Sequence, residues 1–195
     1  MLILVGPSAS GKTQILKILM EKYGMKKLVT YTTRNMRVNE VDGVDYHFIS
    51  KEDFINKMNN NFFFETIEYN NNYYGTSKND FSSDKAVILE PNGLQKYIND
   101  AKDKIKIVVL KCEENVLRNR MIFRQDRLED IEKRIKGDKT WFKEDLYQQA
   151  DLILDTSHSD IFEDAERVYS FYKVITIFVR RFIISIIHSI MSSNH

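Results

Sequence analysis

The sequence predicts an α/β fold in which a mostly parallel sheet is flanked by helices. Short apolar runs alternate along the chain with segments of helical periodicity. The runs are rich in Ile, Leu and Val, which is typical of strands buried on both faces of a sheet. A chain of 195 residues with 43% hydrophobic and 29% charged residues is long enough for one such domain and too short for two.

The individual elements follow from these runs. Strands are predicted at residues 2–5, 28–31, 86–89, 105–110 and 152–154. Helices are predicted at 13–23, 51–59, 92–101, 114–122, 127–147 and 158–172. Gly24 can end the first helix because glycine is favoured just beyond a helix C-terminus.

Two polar segments interrupt this alternation. Residues 30–82 contain strand-like pieces around an asparagine-rich turn at 70–72, which predicts a small antiparallel insert. Residues 118–137 carry five arginines, at positions 118, 120, 124, 127 and 134. A solvated amphipathic helix would explain these arginines without any function.

Charge and cysteine content limit the partners and the compartment. With 29 Lys and Arg against 28 Asp and Glu, the net charge of +1 gives no overall attraction to nucleic acid or to a membrane. The single cysteine, Cys112, excludes an intrachain disulfide and a multi-cysteine metal site. Met1 leads directly into the first predicted strand, with no signal peptide before it, so we expect a cytoplasmic protein.

The stretch GPSASGKT, residues 6–13, matches the phosphate-binding loop pattern between a buried strand and a helix. Glycines let the backbone curl so that amide N–H groups and the helix dipole face a phosphate chain. We expect Lys12 to bridge the β- and γ-phosphates of ATP and the Thr13 hydroxyl to bind Mg²⁺. The predicted ATP-binding residues are Gly6, Ser8, Ala9, Ser10, Gly11, Lys12 and Thr13. A strand-to-helix turn that ends in Lys-Thr by chance is the alternative.

A second motif surrounds one loop with basic and aromatic side chains. The segment TTRNMRVNEVDGVDYHF, residues 32–48, contains Arg34, Arg37 and Tyr46. Guanidinium groups can form bidentate bonds to a second phosphate, and a tyrosine hydroxyl can add another. The alternative is a solvated basic loop.

This segment resembles the TTR-x-x-R-x-x-E-x-x-G-x-D-Y-x-F stretch of guanylate kinases. FET at 64–66 and YYGT at 73–76 are similar to the F-x-E and Y-Y-G-[ST] stretches of that family. The resemblance covers about residues 1–172 and implies a P-loop kinase with a monophosphate-binding insert at 30–82 and a helical lid at 118–137. It implies that Arg34, Arg37, Tyr46 and Tyr74 hold the acceptor monophosphate and that Glu65 recognises guanine.

Guanine recognition by Glu65 also has a physical reason. Guanine presents N1–H and an exocyclic N2 amine side by side, and these two donors match the two oxygens of one carboxylate. Adenine lacks the N1 proton, so it would leave a buried mismatch. By the family pattern Thr76 lies near the base carbonyl, and Thr30 or Thr33 assists. A surface strand residue is the alternative for Glu65.

One stretch departs from the family pattern. Where guanylate kinases have Asp-x-Asp followed by Gly, this chain has Glu90-Pro91-Asn92-Gly93. Glu90 can take over a metal-linked or a base-linked role. GMP, dGMP or a different monophosphate therefore stay open as acceptors.

Phosphoryl transfer between two anionic groups requires cations that offset their repulsion. By position in the lid, Arg120, Arg124 and Arg134 are the candidates, and Arg120 or Arg124 can also contact the adenine or ribose of ATP. The resemblance thus implies transfer of the γ-phosphate of Mg-ATP to GMP or dGMP, with Lys12, Arg34 and these lid arginines as catalytic residues. The alternatives are a kinase for another nucleoside or sugar phosphate, and a non-catalytic protein-binding module, which would not need an intact phosphate loop.

Residues 173–195 extend beyond the resemblance as an apolar tail. The arginine pair at 180–181 divides the stretch 173–191 into two pieces, each too short to span a bilayer. Packing or self-association through 173–191, contact with a membrane surface, and a tail without a role are the hypotheses for it.

Overall fold

The structure, a computed structural model, describes residues 1–36, 40–69 and 71–174. In chain order its elements are β1 (Leu2–Val5), α1 (Lys12–Tyr23), β2 (Lys26–Lys27), β3 (Tyr31–Thr32), β4 (His47–Phe48), α2 (Lys51–Asn59), β5 (Phe63–Tyr69), β6 (Asn72–Ser77), β7 (Lys85–Ile88), α3 (Pro91–Ala101), β8 (Lys106–Lys111), α4 (Glu114–Phe123), α5 (Leu128–Trp141), α6 (Glu144–Tyr147), β9 (Leu152–Asp155) and α7 (161–174). The strands form two sheets.

The central sheet has five parallel strands in the order β2-β7-β1-β8-β9. Successive side chains of β1 alternate between two apolar cores. Leu2 and Leu4 pack toward α1 and α7, whereas Ile3 and Val5 pack toward α3. All four side chains are fully buried. The five-stranded parallel sheet with helices on both faces confirms the predicted α/β fold, and the apolar residues of β1 are those that a strand buried on both faces needs.

The smaller sheet has the order β4-β3-β6-β5 and spans the predicted insert. β5 and β6 form an antiparallel hairpin, and β6 pairs antiparallel with β3, but β3 and β4 are parallel. Helix α2 covers this sheet through Phe54, whose ring stacks on Phe63 at 4.4 Å. Ser50 caps α2 by accepting a hydrogen bond from the Asp53 N–H.

The arginine-rich segment forms two packed helices, α4 and α5. Their contact is a small apolar core of Leu117, Met121, Ile131 and Ile135, which packs against Ala9 of the glycine-rich loop. The basic side chains therefore lie on a packed helix pair next to that loop.

Two element predictions were wrong in detail. The run 28–31 does not form one strand: Leu28 continues the β2 edge by donating to the Ala86 carbonyl, while Tyr31 pairs with Gly75 in the other sheet. The predicted helix 127–147 breaks into α5 and α6, because the chain leaves helical conformation at Phe142.

No helix in the described part of the chain is both long and apolar enough to cross a membrane. The predicted tail, apart from positions 173 and 174, lies outside the described residues.

Candidate active site

The phosphate loop connects the carboxyl end of β1 to α1, and two glycines permit its path. At Gly6 an added Cβ would lie 2.8 Å from the Leu110 Cβ and 2.7 Å from the Ser10 Oγ, so no side chain fits there. Gly11 has a φ of 101°, a left-handed conformation that glycine adopts without strain. The curl of this loop therefore depends on the two residues at the ends of the glycine pattern.

Two side chains hold the loop in place, one directly after β9 and one on α4. The Thr156 hydroxyl donates to the Ser10 carbonyl at 3.0 Å. Arg120 donates from Nη1 to the Ala9 carbonyl at 3.3 Å and from Nη2 to the Thr156 carbonyl at 2.6 Å. The Arg120 guanidinium thus holds the loop in place, a contact that sequence reasoning missed.

Lys12 lies at the start of α1 with its ammonium folded over the loop. Its Nζ donates to the Gly6 carbonyl at 2.6 Å and to the Pro7 carbonyl at 2.9 Å. Burial lowers the pKa of Lys12, while the carboxylates of Glu90 and Asp138 oppose that shift. A buried ammonium at the start of a helix is suited to an anionic ligand.

Asp138 of α5 reaches the same loop and was not predicted. Its Oδ2 accepts a hydrogen bond from the Ser8 backbone N–H at 2.8 Å. A carboxylate therefore occupies one of the loop amides expected to face phosphate. The sequence holds no signal for this contact, because the two residues are 130 positions apart.

A cleft of about 570 Å³ opens between the loop and α4. It is lined by Ala9, Ser10, Gly11, Lys12, Thr13, Gln14, Val116, Asn119, Arg120, Phe123 and Arg124. Phe123 is 90% exposed, an unusual state for a phenylalanine, and its ring borders this cleft. The cleft is large enough for part of a nucleotide next to the phosphate loop.

The other two lid arginines share one carboxylate. Arg124 donates to the Asp126 Oδ2 at 2.9 Å, and Arg134 donates to the same oxygen at 3.2 Å. The side chains of Arg124 and Arg134 are both about half exposed, at 49%. Asp126 therefore holds the predicted pair together across the α4–α5 junction.

The insert sheet gathers the predicted acceptor residues around Arg34. Its guanidinium donates to the Glu40 carboxylate at 2.7 Å and lies 5.4 Å from the Tyr46 ring centroid. The Tyr46 and Tyr74 rings are 6.1 Å apart in an edge contact. Three predicted residues thus converge here, and Arg37, the fourth, lies outside the described residues.

Glu65 and Thr76, two further predicted acceptor residues, face each other across β5 and β6. The β5–β6 register shifts between Phe63 and Glu65, so Phe64 is an extra residue that turns into the central core. Glu65 stands opposite Thr76, whose hydroxyl donates to the Glu65 Oε1 at 3.0 Å. Burial raises the pKa of Glu65, while Thr76 and the Lys96 ammonium oppose the shift.

Three further predicted residues, Thr30, Thr33 and Glu90, have other positions in the fold. Thr30 lies between β2 and β3, where its carbonyl accepts from the His47 N–H. Thr33 is tied to β6 because its hydroxyl oxygen accepts from the Tyr73 N–H at 2.9 Å. Glu90 is exposed at the carboxyl end of β7. Because β7 pairs in parallel with β1, Glu90 lies at the same sheet edge as the phosphate loop.

The donor set suits Mg²⁺ held mainly by phosphate oxygens. Among the described residues, no group of three or more His, Cys, Asp or Glu side chains could hold a metal ion. The Thr13 hydroxyl and the Glu90 carboxylate are both exposed at the loop, and magnesium commonly takes one or two protein oxygens together with substrate phosphates. These two residues therefore fit the ion.

Comparison with known proteins agrees with this layout. The family model described as guanylate kinase matches residues 1–169. A curated guanylate kinase from Helicobacter hepaticus is 37% identical over 145 residues, 69% of this chain and 72% of that protein. The guanylate kinase of Mycoplasmopsis pulmonis is 38% identical over 161 residues, 75% of this chain and 82% of that protein. A guanylate kinase from Clostridium perfringens strain SM101 is 40% identical over 131 residues, 64% of this chain and 61% of that protein.

Solved structures show the same fold. The crystal structure of guanylate kinase from Anaplasma phagocytophilum has a TM-score of 0.65 at 21% identity and covers 89% of this chain and 84% of that chain. The family model and the curated relatives confirm the resemblance found in the sequence motifs. The chain belongs to the guanylate kinase family.

Proposed function

We propose that this chain transfers the γ-phosphate of Mg-ATP to GMP or dGMP and releases GDP or dGDP together with ADP. The observation that carries the proposal is the pairing of two half-sites in one fold. One is an intact phosphate loop beside a cleft, and the other is the Arg34–Tyr46–Tyr74 cluster beside the buried Glu65–Thr76 pair.

On the donor side, loop amides and Lys12 hold the ATP phosphates. In the structure described, Lys12 is bonded to two carbonyls of its own loop and Asp138 takes the Ser8 amide. Phosphate oxygens replace these internal partners when ATP binds. The exchange is favourable because a phosphate chain carries more charge and more acceptor oxygens than the groups it displaces.

On the acceptor side, Arg34 exchanges Glu40 for the monophosphate. The pair is largely buried, with 14% of the Arg34 side chain and 20% of the Glu40 side chain exposed. Tyr46 and Tyr74 add hydroxyl donors, and Arg37 is proposed as the second guanidinium. A dianionic phosphate is a stronger partner than one carboxylate, so this cluster favours substrates with a terminal phosphate.

Glu65 selects the base. Its ionised carboxylate accepts from N1–H and N2–H₂ of guanine, and Thr76 and Thr30 complete the surroundings of the base. Adenine would place a lone pair against the carboxylate in a buried site, which is costly.

Thr13 and Glu90 would hold Mg²⁺ beside the phosphates, and the bound ion would supply charge neutralisation between the β- and γ-phosphates. During transfer, Arg124 and Arg134 leave Asp126 and offset the negative charge on the transferring phosphoryl group. Arg120 stays on the Ala9 carbonyl and keeps the phosphate loop fixed. Closing the lid would also exclude water that would otherwise hydrolyse ATP.

A coupled assay of ADP release across GMP, dGMP, AMP, CMP, dTMP and UMP tests the proposal. Turnover with GMP and dGMP only is the expected result, and the Lys12→Ala variant is expected to abolish it. Preference for another nucleotide of the panel would replace the proposed acceptor, and a sugar phosphate added to the panel tests that alternative. A wild-type protein without turnover on any of them would favour the non-catalytic binding module.

Cytoplasmic localisation is part of the proposal. The single cysteine, Cys112, is a free thiol, which supports a reducing compartment. ATP and a guanine nucleotide are the proposed partners, without nucleic acid. Self-association through 173–191 is tested by comparing the elution volume of the full chain with that of a chain ending at residue 172.

A further inference from the structure

Tyr97 of α3 is a fully buried tyrosine at the junction between the two sheets. It is 0% exposed. Its ring lies 4.9 Å from the Phe64 ring and 5.7 Å from the Phe81 ring, between centroids. Leu94 and Ala101 continue the same buried face of the helix. A phenylalanine would fill this position as well, so packing alone does not account for the hydroxyl.

The Tyr97 hydroxyl has no hydrogen-bond partner among the described residues. Buried tyrosine hydroxyls normally have one. The polar groups near it are the Glu65 carboxylate and the Thr76 hydroxyl. Burial raises the pKa of Tyr97, and the negative charge of Glu65 raises it further, so the phenol keeps its proton and can donate a hydrogen bond there.

The Thr76 hydroxyl oxygen can accept a hydrogen bond from the Tyr97 hydroxyl. It is itself fully buried, and it donates its only hydroxyl proton to the Glu65 Oε1 at 3.0 Å. A hydroxyl that donates still has two lone pairs, so the Thr76 Oγ1 remains an acceptor. The buried Tyr97 hydroxyl therefore has an unused donor, and the neighbouring Thr76 Oγ1 keeps lone pairs that can accept from it.

We propose that Tyr97 is a positioning residue for base recognition: its hydroxyl donates to the Thr76 Oγ1 and completes a chain from Tyr97 through Thr76 to Glu65. This chain holds the Glu65 carboxylate ionised and oriented toward the N1–H and N2–H₂ groups of guanine. The inference rests on the proposed function, because it concerns how the same acceptor site distinguishes its base.

The physical reason is that hydrogen bonds in a chain strengthen one another. A Thr76 hydroxyl that accepts from Tyr97 is a better donor to Glu65. Burial raises the pKa of Glu65, and the groups that oppose this are Thr76 on β6 and Lys96 on α3. Removing the Tyr97 hydroxyl weakens the hydrogen bond from Thr76 to Glu65, so the Glu65 carboxylate keeps its proton up to a higher pH.

The Tyr97→Phe variant tests the contact directly. The pKa of Glu65, followed by carbon-13 NMR of the labelled side chain in the ligand-free protein, is expected to rise by about half a pH unit, about threefold in proton affinity. Tyr172→Phe is the matched control, because the Tyr172 hydroxyl donates to the Ser83 carbonyl at 3.0 Å in another part of the core. It is expected to leave the Glu65 titration unchanged.

Kinetics supply the functional readout. In Tyr97→Phe, the acidic limb of kcat/KM for GMP is expected to move to higher pH by the same amount, with kcat at saturating GMP little changed. A residue that only fills space would move neither the limb nor the titration. Melting temperature checks folding, and the variant is expected to melt slightly below the wild type because it loses the proposed hydrogen bond.

An unchanged Glu65 titration in a folded Tyr97→Phe protein would overturn the inference while leaving the proposed function in place. Wild-type protein without GMP-dependent turnover would overturn both. The two failures are therefore distinguishable, since the first is measured without substrate and the second without any variant.

Discussion

Replacing Asp138 by Asn is expected to tighten ATP binding. In the ligand-free protein the Asp138 carboxylate accepts from the Ser8 N–H at 2.8 Å, on a loop amide that we expect to face phosphate. ATP must displace this carboxylate, so the free energy of the contact is subtracted from the free energy of binding. Asparagine keeps the size of the side chain but removes the negative charge.

The magnitude follows from the kind of contact. A hydrogen bond to a charged group contributes about 1.5–3 kcal/mol when buried. Asp138 is only half-buried, so we take about 1 kcal/mol, which corresponds to about a fivefold change in the dissociation constant. The variant should therefore bind a non-hydrolysable ATP analogue about fivefold more tightly.

Isothermal titration calorimetry with Mg²⁺ at fixed ionic strength measures this change. Asp130→Asn is the matched control, because it removes the same charge from an exposed position about 12 Å away along α5. The control should bind the analogue as the wild type does. Equal or weaker binding by Asp138→Asn would show that the carboxylate does not compete with phosphate.

Three further changes test other parts of the structure. Glu65→Gln should lower kcat/KM for GMP by about 100-fold, because the amide offers a donor where guanine needs an acceptor. Because burial raises the pKa of Glu65, the folded state binds the carboxyl proton more tightly than the unfolded state does. The stability of the wild type therefore falls as the pH rises from about 4.5 through the folded-state pKa of Glu65. Glu65→Gln should melt at a higher temperature than the wild type above this pH range and not below it. Gly75→Ala should lower the free energy of unfolding in urea by about 1–3 kcal/mol, because the added Cβ would lie 2.9 Å from the Phe63 ring and 3.0 Å from the Phe54 ring. In the control Gly137→Ala the added Cβ meets nothing within 4 Å, so the free energy of unfolding should not fall. Phe123→Ala should raise KM for ATP about tenfold without changing KM for GMP, if its exposed ring stacks on the adenine.

Local features of the chain could be predicted from sequence because their causes are local. Helix α2 was predicted at its observed bounds, since Ser50 caps it within one turn. The phosphate loop was predictable because its conformation depends on glycines at fixed spacing between a strand and a helix. The hairpin turn after β5 was also predictable, and Asn71 there has a φ of 59°.

Long-range pairings could not be predicted in the same way. The run at 28–31 looks like one strand, yet Leu28 bonds to Ala86 and Tyr31 pairs with Gly75. Its division between two sheets depends on partners more than 40 residues away. Nothing in the composition of four apolar and polar residues distinguishes these partners.

The sequence by itself determined the fold class and the phosphate-loop pattern, and it predicted the residues that the structure gathers around Arg34, because each depends on residue types at short spacing. Only the tertiary structure decided how these residues are held before substrate binds. Arg34 rests on Glu40, Arg124 and Arg134 share Asp126, and Asp138 occupies a loop amide. A charged side chain in a folded protein takes whichever opposite charge or free amide the packing brings near, and that neighbour is set by the whole chain rather than by its own segment.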